Sequence, residues 1–311
     1  MDAATIARVL ARGRRRARRR ANRTAYAFML PSLIFFVAFL LVPVAWVARQ
    51  SFMKGGVLGP AQWVGLENWS DLLVDPKAHA AIRNTFLYVG LSIPLMLALA
   101  LVVALGLKSL GRGGTAMRVA IYLPSLAPFI LGALVWVFMV HPDFGLFNVG
   151  TRVAGEEPIN WLGSQTLALP TLAMLEVWRG IGFWGIFLLA GLLAVPRDLY
   201  QAAALDGASP VRRFWHVSLP GLRPTLITAA LLSVLFAMQV FESPFVLTKG
   251  GPANSTQTAL LYSYQTIFEQ GNPGLGAAMC IILLAIVLTL TGLSFAVARR
   301  RGRSAPGAGT P

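Results

Sequence analysis

Glu176 with Arg179, and Gln239 with Glu242, are the residues best placed to do chemistry in this chain, because each pair interrupts a stretch otherwise apolar enough to lie in lipid. A spacing of three puts both members of a pair on one helix face, so Glu176 and Arg179 can meet as an ion pair. A charge left in hydrocarbon without a partner costs several kcal/mol, so all of these side chains must face protein or water. Two readings follow for the first pair: an internal bridge that fixes helix packing, or a polar step on a solute path. Gln239 and Glu242 carry the same choice between polar packing and a path. Glu242 lies about 18 residues, roughly 27 Å at helical rise, from the inner end of its apolar stretch, which places it near the outer interface.

Other chemistries are excluded. Cys280 is the only cysteine, so intrachain disulfides and multi-cysteine metal sites are ruled out. His79, His141 and His216 fall in separate segments on different sides of the membrane, and no shared metal or catalytic site is expected of them. None of the four lysines, Lys54, Lys77, Lys108 and Lys249, follows a GxxxxGK[ST] pattern. The chain therefore has no phosphate-binding loop of that kind, and any ATP and Mg would be bound by a partner. No catalytic residue and no metal ligand is assigned, and the chain is not expected to be an enzyme.

The elements that must hold these residues are membrane helices. Of 311 residues 56% are hydrophobic and 13% charged, outside the range of ordinary soluble domains. Six stretches reach the roughly 20 apolar residues that a bilayer core requires: 27–47, 84–107, 116–140, 166–194, 224–247 and 275–298. The expected fold is all-α, integral to the membrane, with six spans. Pro31, Pro94, Pro124, Pro128, Pro170 and Pro244 fall within them, which membrane bundles tolerate. A basic segment, 1–25, precedes the six-span body 26–298, and a tail, 299–311, follows it. With the N-terminus inside, twenty Lys and Arg lie in the inner segments against six outside, so both termini are expected in the cytoplasm. The basic N-terminal run stops just before an apolar stretch, so membrane topology accounts for it and nucleic acid is not an expected partner. That stretch is too long for a signal-peptide core and reads as a retained helix.

One inner segment is polar yet helix-patterned. Residues 195–224, VPRDLYQAAALDGASPVRRFWHVSLPGLRP, read as two short helices about a sharp turn. Pro196 suits the first turn of a helix running to Leu205, and Gly207 the left-handed residue that ends it. Ser209 caps a second helix with Pro210 at its first position, expected to stop at Pro220. Ala202, Ala203 and Asp206 share a stripe where another surface can approach closely. Val211, Phe214, Trp215 and Val217 add apolar area that serves either as an anchor among headgroups or as a contact for a partner.

The stretch QAAALDGASPVRRFWHVSLP resembles the coupling motif, the EAA loop, of ABC importer permeases: Glu-Ala-Ala, three residues, Gly, nine residues, an apolar residue, one residue, Leu-Pro. Ala202, Ala203, Gly207, Val217, Leu219 and Pro220 stand at matching positions, with Asp206 and Ala208 flanking the glycine. Gln201 replaces the usual glutamate, keeping hydrogen bonding but losing the charge. EVWRGIGFWGIFLLAGLLAVPRDLY, FESPFVLTKGGPANSTQTALLYSYQTIF and YLPSLAPFILGALVWVFMVHPDFGLFN are similar to the sugar-permease branch, in its MalF-like and UgpA-like members. The resemblance spans about residues 26–298. It implies the type I importer fold in a bacterial plasma membrane. The implied partners are a second permease subunit, two ATP-binding subunits and an extracytoplasmic solute-binding protein. It implies further that Gln201, Ala202, Ala203, Asp206, Gly207, Ala208, Phe214, Leu219 and Pro220 couple to an ATPase. Helices four and five line the cavity in such proteins, which makes Glu176, Arg179, Gln239 and Glu242 substrate-path candidates. The expected cargo is a carbohydrate; glycerol-3-phosphate or another polyol or phosphodiester is the alternative. A stand-alone secondary carrier, which would show internal repeats or broken half-helices, is the other class weighed. KGGPAN, residues 249–254, reads as a turn facing the outside. The segment 49–83, with Trp63 and Trp69, has room for an interfacial helix, and residues 302–311 read as disordered.

Overall fold

The computed structural model describes residues 26–55, 60–110 and 114–302, so the basic segment 1–25 and all but the first residue of the stretch 302–311 lie outside it. Five helices are long and apolar enough to cross a membrane, and a bent pair brings the number to six if it forms one span. They are α1 (Tyr26–Gln50), α3 (Pro76–Ser109), the pair α4 (Thr115–Leu126) and α5 (Phe129–Met139), α7 (Ala168–Ala194), a long helical stretch ending at Leu247, and α13 (Pro273–Gly302). Between them lie α2 (Glu67–Val74), a one-turn α6 (Val149–Val153) and α8 (Arg197–Leu205). The long stretch consists of α9 (Pro210–Arg213), a π turn (Phe214–Ser218), α10 (Leu219–Met238) and α11 (Glu242–Leu247), and α12 (Ala259–Tyr264) comes after it. Among the described residues the only strands are a two-residue antiparallel pair, Met53 opposite Trp63 and Lys54 opposite Gln62.

The centre is α3 against α7, with α10 across both. Their shared core includes Tyr88, Met96, Ala100 and Ala104 of α3, Leu172, Leu188 and Leu192 of α7, and Leu222 and Ala229 of α10. Lipid is as apolar as leucine, so such helices associate through close packing rather than through escape from water. Small residues make that packing possible. A Cβ on Gly182 would lie 2.2 Å from the Ile121 carbonyl oxygen, and one on Gly185 would lie 2.9 Å from Val103 Cγ1. Glycine at these positions lets the α4 backbone and the α3 side chains seat directly on α7.

Four expectations need correction. The third span is not one helix, because Ala127 is extended (φ −65°, ψ 140°) and α5 leaves α4 at 94°. Pro128 supplies the cause, since its ring disfavours the helical conformation of the residue before it. The second elbow helix does not stop at Pro220. The π turn Phe214–Ser218 precedes this proline, and the wider ladder carries the chain into α10 with Pro220 in its first turn. The fifth span does break near its other end, at Gln239 and Phe241, before α11. Pro196, expected inside the first elbow helix, is its N-cap, with helix starting at Arg197.

The end of the bundle opposite the elbow is fastened by long-range polar contacts. The buried Asn84 amide donates to the Asn254 and Gln257 carbonyls at 2.8 and 3.0 Å, and the Thr85 hydroxyl accepts from Ala259 N at 2.9 Å. The KGGPAN turn is thus folded down on α3, with Gly250 at φ +89° and its missing Cβ position 2.0 Å from Gln257 Oε1. The strand pair is held the same way, through Asn68 Nδ2 to the Ser51 and Met53 carbonyls, both at 2.9 Å. Lys54 bonds Glu67 at 2.6 Å, a hydrogen bond and charge that hold the ammonium pKa above its usual value. Between these parts, α2 is the helix for which segment 49–83 had room.

Candidate functional site

Two regions qualify, one at each end of the same helices. The first is the elbow. Its turn is closed by Gly207 N to the Ala204 carbonyl at 3.1 Å and Ala208 N to the Ala203 carbonyl at 2.9 Å, the paired bonds of a Schellman motif. Gly207 takes φ +72°, which a side chain would strain, although a Cβ there would touch nothing within 4 Å. Ser209 then caps α9, its hydroxyl accepting from Arg212 N at 3.4 Å, with Pro210 at the first helical position. Ala202 and Asp206 are exposed and Ala203 is half-buried, so the stripe lies on the surface. Gln201 and Pro220 are exposed too, while Ala208, Phe214 and Leu219 are half-buried.

The elbow presents apolar area outward. Leu205 is 90% exposed and Trp215 59%, with Val211 and Leu199 also out and Phe214 edge-on to Trp215 at 5.4 Å. Apolar side chains clustered on a polar projection mark a contact surface. Inward, the elbow is tied to the bundle by residues that sequence reading passed over. Lys108 Nζ, in the last turn of α3, donates to the Tyr200 hydroxyl at 2.9 Å and lies 4.0 Å from the ring centroid. That hydroxyl is 3.0 Å from Ser218 Oγ, at the end of the π turn. One tyrosine therefore joins α3, α8 and the root of α10. Neither Lys108 nor Tyr200 had a sequence signal beyond charge and aromaticity.

The second region is a cavity of about 480 Å³ lined by α3, α4, α5, α7, the end of α10 and the broken segment leading into α11. All four polar candidates, Glu176, Arg179, Gln239 and Glu242, line it. Glu176 and Arg179 lie 3.8 Å apart, beyond hydrogen-bonding distance, each a little over a quarter exposed. They sit eight and eleven residues into the 27-residue α7, on the N-terminal side of its middle. Glu242 stands at the same end of the bundle, and the break at 239–241 brings it onto the wall that holds Glu176. Gln239 spends its amide on the Leu235 carbonyl at 3.0 Å.

Arg179 is held in place but not satisfied. Its own carbonyl accepts from Ser125 Oγ of α4 at 2.6 Å, and its guanidinium carbon lies 5.3 Å from the Phe129 ring centroid. Its Nε is buried with no hydrogen-bond partner. Tyr88, Tyr122, Phe129, Phe183, Trp184, Phe236 and Phe241 supply most of the remaining wall. Sequence alone does not distinguish these rings from lipid-facing aromatics. Among the described residues no three His, Cys, Asp or Glu come together in a way that could hold a metal.

This arrangement, a membrane bundle with a polar-aromatic cavity at one end and an apolar elbow at the other, has recognisable relatives. Residues 81–303 match the family described as binding-protein-dependent transport system inner membrane component. The chain belongs to that family and is a multi-pass membrane permease subunit. It is similar to the trehalose/maltose transport system permease protein MalF of Thermococcus litoralis, 33% identical over 89% of this chain and 94% of the relative. It is also similar to the sn-glycerol-3-phosphate transport system permease protein UgpA of Brucella suis, 32% identical over 89% of this chain and 94% of that one. A chain in the crystal structure of a bacterial alginate ABC transporter, in complex with an alginate pentasaccharide-bound periplasmic protein, shares the fold. That similarity has a TM-score of 0.80 at 22% identity, over 90% of this chain and 96% of the other. A 94° break such as that between α4 and α5 fits the carrier alternative as well, and the family match decides against it.

Proposed function

We propose that this chain is one of two permease subunits of an ATP-driven importer, and that its elbow docks on one of two cytoplasmic ATP-binding subunits while its cavity lies on the path of a carbohydrate. ATP and Mg belong to those partners, and this subunit makes and breaks no bonds. Both termini lie in the cytoplasm of a bacterial plasma membrane, and an external binding protein delivers the solute to the cavity end. The observation that carries the reading is the elbow: exposed Leu205 and Trp215 on a rigid turn rooted in α10, the helix that leads to the cavity. ATP-driven movement of the docked subunit would push on that root and shift the cavity between the two sides.

The cargo reading rests on the relatives and on the wall. A trehalose/maltose permease is the relative reported at 33% identity, and aromatic rings beside paired polar groups suit the mixed apolar and hydroxyl faces of a sugar. Glycerol-3-phosphate is a second reading, favoured by the Brucella relative and by the unpaired Nε of Arg179. The docking claim is tested by co-purification of the ATP-binding subunits with Leu205→Asp/Trp215→Asp. Loss of the ATP-binding subunits with the membrane pair still assembled is the expected result, and retention of the subunits in wild-type amounts refutes docking at the elbow.

A further inference from the structure

The charges around the cavity decide which solutes it suits, an inference that rests on the cavity being part of the transport path. Among the described residues, Glu176 and Glu242 face a single cation, Arg179, and no other Lys or Arg lines the cavity. The guanidinium is thus already matched by a carboxylate 3.8 Å away, with a second carboxylate in excess. An incoming phosphate, sulfonate or uronate would have to compete with Glu176 for Arg179 and would meet the Glu242 carboxylate, since like charges in a partly desolvated site repel strongly.

An uncharged polyol meets the opposite situation. Arg179 Nε is a buried donor without an acceptor, and the Glu176 carboxylate beside it is an acceptor whose contact with Arg179 is too long for a hydrogen bond. A hydroxyl group both accepts and donates, so one or two neighbouring hydroxyls can accept a hydrogen bond from the guanidinium and donate one to the carboxylate. A fully ionised phosphate, sulfonate or carboxylate group offers acceptors only. The rings of Tyr88, Tyr122 and Trp184 border the same space and suit the C–H faces of a pyranose.

We infer that Glu176 and Glu242 act as a charge filter, making this subunit's wall selective for neutral polyhydroxylated solutes, of the size of a mono- or disaccharide, over anionic ones.

The test is calorimetric titration of the detergent-purified permease and ATPase complex, without the binding protein, using maltose and trehalose as neutral probes and glycerol-3-phosphate and glucose-6-phosphate as anionic ones. The wild-type complex is expected to bind a neutral disaccharide at least about tenfold more tightly than either phosphate. Glu242→Gln, which leaves the Glu176 and Arg179 pair intact, is expected to narrow the gap by about tenfold, and Glu176→Gln to raise phosphate affinity further by freeing Arg179. Equal or tighter binding of a phosphate by the wild type, binding of neither class, or an unchanged gap in Glu242→Gln overturns the filter. ATP-dependent uptake of a phosphate ester by the same complex in liposomes would overturn the filter while leaving the transport reading intact. A complex that shows no ATP-dependent uptake of any probe, with the calorimetric gap preserved, would instead count against that reading.

Discussion

The elbow and the cavity are built in opposite ways. The elbow is local: about twenty consecutive residues supply the cap, the left-handed glycine and the apolar face, and the hydrogen bonds that close its turn run between near neighbours. The cavity is assembled from six helical elements brought together by close packing, and it exists because the chain breaks at Ala127 and again at Gln239 to Phe241. A locally coded piece keeps its shape when it is pushed as a unit. A piece made of breaks and glycine contacts has several separate parts that can move. That division is what a mechanical coupling requires, a stiff handle at one end and an adjustable wall at the other.

The largest expected effect falls on the cavity side. Gly182→Val would drive a branched side chain into the Ile121 backbone carbonyl, 2.2 Å from its Cβ position, which backbone cannot vacate cheaply. Loss of most folded protein from the membrane is expected, measured by quantitative blotting; wild-type abundance would show that α4 is not seated on α7 as described. Next comes Gly207→Val in the elbow, where nothing crowds the new side chain and only the backbone conformation, φ +72°, is strained. Uptake is expected to fall by about tenfold or more at near-normal abundance, from roughly 1–3 kcal/mol of strain. The pair of glycines thus separates the two regions: one variant is lost as protein, the other persists without function.

This contrast also explains what sequence could tell. The elbow was legible because Ser209, Pro210 and Gly207 have conformational preferences that act within one turn. Glu176, Arg179, Gln239 and Glu242 were legible because polar residues in an apolar stretch stand out. Their common cavity was not, since Glu242 reaches it only through a break that no residue between Gln239 and Phe241 announces. Nor do prolines mark breaks by themselves: Pro94, Pro124 and Pro224 sit inside helices while Pro128 ends one. Where Asn84 bonds the carbonyl of Asn254, 170 residues away, no local pattern exists to be read. The clamp that folds KGGPAN onto α3 therefore had to be seen in three dimensions.

Two smaller effects refine the link between the regions. Tyr200→Phe keeps the ring beside Lys108 but removes the hydroxyl that meets both Lys108 and Ser218. A net loss of about 0.5–1.5 kcal/mol is expected, with uptake per ATP hydrolysed falling several-fold while ATPase activity persists. An unchanged ratio of transport to hydrolysis would make the tyrosine a structural tether only. Gln201→Glu restores the charge usual in the coupling motif on an exposed position, and a change in uptake within about twofold is expected, as for other solvent-screened surface charges. A large gain would show that the proposed ATP-binding partner offers a cation at that position.

The central claim, that the elbow takes work from a partner and passes it to the cavity, is tested most directly by uptake of radiolabelled maltose or trehalose into liposomes. One set would hold this chain alone, and the other the chain with the proposed second permease, ATP-binding subunits and binding protein, and ATP. The account predicts no accumulation in the first set and ATP-dependent accumulation in the second. Accumulation by this chain alone, without ATPase or ATP, would contradict it.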